Sequence, residues 1–146
     1  MKALRFAALS LSALFALCAC HNEAAESPED AKSVLEKDGF GVSLTPSEDY
    51  AGSPIQEYLA TEPSGLTTYL LATKDPRDPS SSYFPYLHVW FFRNTDKADT
   101  WFNANMQQLL RLATNAKDSV GLGNNVVYLG TSSAVKLMGW RTNFIN

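Results

Sequence analysis

Apolar residues follow two different patterns in the second half of the chain. Over Ala98–Ala113 they recur at intervals of three and four, which predicts an amphipathic helix with one apolar side. Thr95 is the expected N-cap of this helix, and we expect it to end near Lys117. Over Tyr83–Phe92 almost every residue is apolar, which is typical of a central strand covered on both faces. Together these segments predict a sheet with one long helix packed on it.

Two Ser-Pro pairs mark the starts of shorter helices. Ser27-Pro28 places a serine at the N-cap and a proline at the first helical position, and Gly39 supplies a stop. Ser53-Pro54 repeats the signal, with Gln56 placed to complete a capping box. The pattern therefore predicts one helix after residue 27 and a second, short helix after residue 53.

Stretches of alternating or continuous apolar residues predict the remaining strands and their connections. The predicted strands are Phe40–Leu44, Leu66–Thr73 and Asn125–Leu129. The proline-rich segment Lys74–Ser82 is typical of an exposed hairpin loop, and Gly121–Asn124 is typical of a turn. The segment Gly130–Ser132 is expected to cap a last short helix.

The predicted order of elements is α-β-α-β-β-α-β-α, in one globular domain over residues 27–140 followed by a loose tail at 141–146. This order predicts the α+β class: a small sandwich of three to four mostly antiparallel strands, with the long helix on one face. The chain contains 3 Trp, 6 Tyr and 8 Phe, which is enough for one hydrophobic core.

The first residues have the pattern of an export signal. Lys2 and Arg5 precede an apolar run over Phe6–Ala19. At about 1.5 Å per residue, a helix of this run is too short for a bilayer core about 30 Å thick. A basic start followed by an apolar run of this length is typical of a secretory signal peptide.

The apolar run ends in the four residues Leu17-Cys18-Ala19-Cys20. This box resembles the lipobox of bacterial lipoproteins, with Leu at −3, a small residue at −1 and Cys at +1. The resemblance covers the first twenty residues, and it implies a signal peptide at 1–19 that is removed before an acylated Cys20. Residues 20–26 would then form a short tether to the membrane. His21 stands where an Asp would favour the inner membrane, which implies the periplasmic side of the outer membrane.

Composition limits the chemistry that the exported chain can perform. Loss of Lys2 and Arg5 from the 12 bases leaves 10 against 15 acids, a formal charge of −5. Cleavage also removes Cys18, so Cys20 is the only cysteine left of the 2 in the chain. A disulfide, a zinc–thiolate site and a cysteine nucleophile are therefore excluded. We expect no cofactor and no metal.

Charge is unevenly distributed along the exported chain. Residues 23–62 hold ten acids and two lysines, whereas residues 63–146 hold eight bases and five acids. The acidic segment is either a solvated surface or a region that attracts a basic partner. A dense basic stripe is absent, so we expect no nucleic-acid partner.

The acids, serines and histidines do not form a recognisable catalytic motif. His88 lies in the middle of a strand, and Ser80–Ser82 follows a proline in a loop. The carboxylates of Glu48-Asp49 and Glu57 are candidates for acid–base chemistry only as any acids would be. The spacing of a calcium-binding loop is absent. The sequence therefore does not predict an enzyme.

The aromatic strand is the most informative candidate for a binding surface. Strict alternation places five residues on one face: Phe84, Tyr86, His88, Trp90 and Phe92. Because Tyr86, His88 and Trp90 have polar tips, this face is the better candidate of the two for a partly exposed binding surface, but the pattern favours its burial in the core over exposure.

Three hypotheses of function follow. The first is a non-catalytic binding or accessory lipoprotein of the cell envelope, which holds a protein or a glycan through a sheet face or the 74–82 loop. The second is an envelope inhibitor or immunity protein, whose acidic segment meets a basic toxin or wall hydrolase. The third is a small hydrolase.

Overall fold

A computed structural model describes residues 27–74, 84–113 and 117–142. Over these residues the protein forms one five-stranded sheet, three α-helices and two 3₁₀ turns. In chain order the helices and strands are α1 Pro28–Lys37, β1 Phe40–Pro46, β2 Leu66–Lys74, β3 Tyr86–Phe92, α2 Thr95–Leu112, β4 Asp118–Gly123, β5 Val126–Thr131 and α3 Ser132–Leu137. The 3₁₀ turns are Ser47–Asp49 and Pro54–Tyr58, both between β1 and β2.

The sheet is antiparallel throughout, with the strand order β1-β2-β3-β5-β4. The central strand β3 pairs with β2 at Val89 and Leu70, and with β5 at Val89 and Tyr128. Helix α2 connects β3 to the edge strand β4, and β5 then returns between them. The predicted α+β class and antiparallel pairing are confirmed, but the sheet has five strands rather than three or four.

The strand missed by the sequence analysis is β4. Helix α2 ends at Leu112, so the expectation that it continues to Lys117 was wrong. The segment predicted as the Gly121–Asn124 turn belongs mostly to β4, and the reversal falls at Asn124, which has a φ of 51°. Gly121 is required within the strand because the Tyr128 ring on β5 lies where a β-carbon would be.

The predicted starts and N-caps of the helices were partly confirmed. The Ser27 hydroxyl accepts from the Asp30 N–H at 3.2 Å, which confirms the first predicted cap. Helix α2 is capped by Asn94, one residue before the predicted Thr95. The helix expected after Ser53 is a 3₁₀ turn over Pro54–Tyr58, and Ser53 forms no side-chain cap there.

Two apolar layers cover the two faces of the sheet. One face packs against α1 and α3, through Leu35, Val135 and the strand residues Leu87, Val89 and Phe91. The opposite face packs against α2 and the segment between β1 and β2. Burial of each large side chain contributes about 1.5–3 kcal/mol, so both layers are needed for stability.

Residues near the C-terminus complete the apolar layer that contains α1 and α3. Trp140 is buried and its ring stacks on Tyr128 at 4.9 Å, while the Tyr128 hydroxyl donates to the Arg141 carbonyl at 2.8 Å. Of the predicted loose tail, residues 143–146 lie outside the described part of the chain. So do the signal peptide, the lipobox, the tether and nearly all of the 74–82 loop. None of the described helices is both long and apolar enough to cross a membrane.

Candidate binding cleft

The aromatic face of β3 lies under helix α2 rather than in solvent. Trp90 is fully buried, and its ring contacts that of Trp101 at a centroid distance of 5.0 Å. Tyr86 and His88 are half-buried. The favoured interpretation, burial of this face in the core, therefore holds for Trp90, because the apolar stripe of α2 packs on the same side of the sheet; exposure, the other interpretation, does not hold for this residue.

His88 occupies a row of rings along this face. Its ring lies between those of Tyr86 and Trp90, and its Nδ1 atom lies 2.6 Å from the Tyr69 hydroxyl. Burial lowers the pKa of His88 to about 4, so the imidazole is neutral at physiological pH. Burial raises the pKa of Tyr69 well above its usual value, so this phenol keeps its proton. A phenol that donates to Nδ1 places the imidazole proton on Nε2.

The end of the row near Tyr86 carries a buried carboxylate. Asp118, at the start of β4, is 1% exposed. Burial raises the pKa of Tyr86, and the neighbouring Asp118 carboxylate raises it further. The Tyr69 and Tyr86 phenols beside His88 therefore both keep their protons at neutral pH.

At the other end of the row, Tyr50 connects the sheet to the segment before β2. The Trp90 Nε1–H donates to the Tyr50 hydroxyl at 3.0 Å, and that hydroxyl donates to Gln56 Oε1 at 2.9 Å. Gln56 Nε2 then donates to the Thr61 carbonyl at 3.1 Å, which also accepts from Trp101 Nε1 at 2.9 Å. This chain of hydrogen bonds fixes the segment on the sheet and on α2.

Asn105 completes the attachment from the buried side of α2. Its Oδ1 accepts from the N–H groups of Ala60 and Thr61 at 2.8 and 3.1 Å. Its Nδ2 donates to the Thr61 hydroxyl and to the Trp101 carbonyl, both at 2.9 Å. A fully buried amide with all four hydrogen bonds formed holds the backbone at residues 60–61 in one position.

The attached segment encloses a cleft of about 220 Å³. We call this site the cleft. Its lining residues are Ser47, Tyr50, Ala51, Gln56, Glu62, Pro63, Ser64 and Leu66. The wall combines apolar surface with two serine hydroxyls, one amide and one carboxylate. The cleft is therefore amphipathic, and its one ionisable carboxylate is that of Glu62.

The cleft was not predicted from the sequence. The neighbouring acids Glu48, Asp49 and Glu57 were candidates there, but Tyr50, Gln56 and Glu62 were not predicted to belong to a site. One signal was available: Asn105 lies within the apolar stripe of α2, between Trp101 and Leu109. A buried polar residue needs hydrogen-bond partners, and two of these partners are the N–H groups of Ala60 and Thr61, directly before the lining residue Glu62.

Electrostatics around the cleft are acidic. The segment between β1 and β2 holds the acids Glu48, Asp49, Glu57 and Glu62 and contains no lysine or arginine. Among the described residues, ion pairs join Lys32 to Glu36 and Lys74 to Asp38, and none reaches the acids at 48, 49, 57 or 62. Lys97 packs its aliphatic stem over Gly65, next to the cleft.

Over residues 27–74, 84–113 and 117–142, no three His, Cys, Asp or Glu side chains are placed to hold a metal ion. His88 contacts the Tyr69 hydroxyl and the neighbouring aromatic rings. Comparison of the chain with models of known protein families, with curated proteins and with solved structures gives no match.

Proposed function

We propose that the protein is a non-catalytic binding lipoprotein of the cell envelope, which holds a partner protein in the cleft. The observation that carries the proposal is the attachment of the cleft wall through Tyr50, Gln56 and Asn105. These hydrogen bonds preorganise a concave, amphipathic surface, which lowers the entropy cost of binding.

Placement of the cleft at the membrane depends on Cys20. Cys20 is the proposed lipid site, and α1 begins at Pro28. The tether at 20–26 is short, so the domain would lie close to the periplasmic side of the outer membrane. A partner would then be held at the membrane surface.

The acidity of residues 27–62 favours a more specific alternative, an envelope inhibitor or immunity protein. A toxin or a wall hydrolase with a basic surface would be attracted to this segment over distances of about 10 Å at moderate salt. Five of the eight residues that line the cleft, including Glu62, belong to the acidic segment, so both forms of the proposal use the same surface.

Photo-crosslinking in intact cells tests the proposal. A photoreactive amino acid replaces Ser64, which lines the cleft, and in a matched strain it replaces the exposed Ser33 on α1. We expect a crosslinked partner from position 64 and not from position 33. In a parallel pull-down, the Cys20→Ala chain should recover less of this partner than the anchored chain.

Two results would contradict the proposal. Equal crosslinking from both positions would mean that the cleft is not the contact surface. Absence of any partner from position 64, in both the anchored and the Cys20→Ala chain, would leave the protein without the binding activity proposed for it.

A further inference from the structure

We propose that the cleft holds one arginine side chain presented by a basic partner protein. This inference rests on the proposed function, because it names the group of the partner that enters the site. It follows from three properties of the cleft: its size, the distribution of apolar and polar groups on its wall, and the charge of its surroundings.

The size of the cleft fits a single long side chain. Pockets that bind drug-sized or cofactor-sized molecules typically measure about 300–1,000 Å³. At about 220 Å³, the cleft is below this range. A side chain delivered by a partner needs less enclosed volume than a free ligand, because the rest of the partner covers the opening.

The wall of the cleft matches the two halves of an arginine side chain. Leu66, Pro63 and Ala51 supply apolar surface for an aliphatic stem. Glu62 supplies a carboxylate, and the hydroxyls of Ser47 and Ser64 supply further acceptors. A planar guanidinium has five N–H donors and can bond to a carboxylate and to a hydroxyl at the same time.

The negative charges near the cleft favour a cationic side chain. Glu62 has no ion-pair partner among the described residues. Burial raises the pKa of the Tyr50 phenol, and the negative charge of Glu62 adds to this increase. Glu48, Asp49 and Glu57 lie in the same segment and add negative potential. A cationic side chain would therefore gain from the local potential, whereas an anionic one would be repelled.

The polar groups deeper in the wall leave Glu62 as the main contact. The Tyr50 hydroxyl bonds to Trp90 and Gln56, and the Gln56 amide bonds to Tyr50 and Thr61. These groups already have hydrogen-bond partners within the protein, so the Glu62 carboxylate is the main acceptor for a hydrogen-bond donor of the partner. Glu62 is the residue whose charge should decide specificity.

An NMR titration of the mature chain carrying Cys20→Ala tests the inference. The probe is N-acetyl-arginine methylamide, and its neutral isostere N-acetyl-citrulline methylamide is the control. We expect saturable shifts at the amides of Ala51, Gln56 and Ser64 with arginine. The citrulline derivative and the corresponding lysine derivative should bind at least about threefold more weakly. Citrulline has a planar group without charge, and lysine has a charge without a planar group that can form two parallel hydrogen bonds.

Two matched variants separate the cleft from general acidity. Glu62→Gln should weaken arginine binding about three- to fivefold, while Glu29→Gln on α1 removes the same charge elsewhere and should leave it unchanged. Lys97→Met, which removes a nearby positive charge, should strengthen binding. Equal effects of Glu62→Gln and Glu29→Gln would overturn the assignment, and so would equal binding of arginine and citrulline. Lysine binding as tight as arginine binding would overturn the choice of arginine.

Failure of this inference is distinguishable from failure of the proposed function. A crosslinked partner whose capture is unaffected by Glu62→Gln would retain the function and remove the arginine assignment. Arginine binding in the cleft without any crosslinked partner would retain the chemistry of the cleft and remove the proposed function.

Discussion

At the scale of single residues, His88 makes stability depend on pH. Its pKa is about 4 in the folded protein and about 6.5 in the unfolded chain, so only the unfolded chain takes up a proton between these values. Stability is therefore unaffected above about pH 6.5 and falls as the pH decreases towards 4. The groups that face the imidazole, Tyr69 and Tyr86, are both neutral in this range, so neither offsets the loss.

The variant His88→Gln tests this dependence, because an amide keeps an acceptor for Tyr69 without titrating. Between about pH 7 and pH 4.5 the wild type should lose about 2–3 kcal/mol more unfolding free energy than the variant. Urea unfolding at both pH values measures the difference, and the carboxylates contribute equally to the two proteins. Parallel pH profiles would show that His88 is not the group responsible.

Asn105 is the second residue with a large expected effect. Asn105→Ala leaves the N–H groups of Ala60 and Thr61 without their acceptor, and because these groups are only partly buried we expect a cost of about 1–2 kcal/mol of unfolding free energy. Asn103→Ala, on the exposed side of the same helix, is the matched control and should change stability by less than about 0.5 kcal/mol. Urea unfolding compares the two.

Hydrogen exchange gives an independent reading of the Asn105 prediction. The amides of Ala60 and Thr61 should lose protection in Asn105→Ala and keep it in Asn103→Ala. Unchanged protection in both variants would mean that Asn105 does not hold the wall of the cleft.

At the scale of elements, local signals were recognisable in the sequence and long-range ones were not. Helix α1 was predicted because its cap is formed between Ser27 and Asp30, three residues apart. Strand β4 was missed because Asp118 and its glycines have low strand propensity, and pairing with β5 imposes the extended conformation. The cleft was missed because it too depends on long-range contacts: Asn105 and Thr61 come together only in the folded chain.

The requirement for glycine in β4 is a prediction at this scale. In Gly121→Val the new side chain collides with the Tyr128 ring, which would have to leave its stacking position on Trp140. We expect a loss of about 1–3 kcal/mol of unfolding free energy, as for overpacked cores. If residues 121–124 formed only an exposed turn, the cost would be within about 0.5 kcal/mol.

The other edge strand supplies the matched control. A β-carbon at Gly41 in β1 would meet only the Thr73 carbonyl, at 3.7 Å, which is an ordinary contact. Gly41→Val should therefore be neutral or slightly stabilising, because valine favours strands. Equal destabilisation by both substitutions would contradict the close packing of Tyr128 on Gly121.

At the scale of the whole molecule, charge and anchoring act together. Four acids, Glu48, Asp49, Glu57 and Glu62, lie on the segment that forms the cleft, and the proposed anchor at Cys20 lies a few residues before α1. The sequence was enough to locate the acidic residues, since charge is read directly from composition. It could not show that these four lie on the segment that forms a cleft, because the cleft forms only when residues 47–66 fold onto β3 and α2.

Acylation of Cys20 is the prediction on which the cellular location depends. Mass spectrometry of the mature N-terminus should show a chain that begins at Cys20 and carries acyl groups, and Cys20→Ser should abolish both the mass shift and the membrane fraction. Each buried CH₂ contributes about 0.8 kcal/mol to membrane binding, so several acyl chains resist extraction by salt, whereas a protein held only by charge is released. An unmodified N-terminus at any other residue would remove the anchor and, with it, the restriction of partners to the membrane surface. The cleft and its Glu62 would be unaffected, because neither depends on residues before 27.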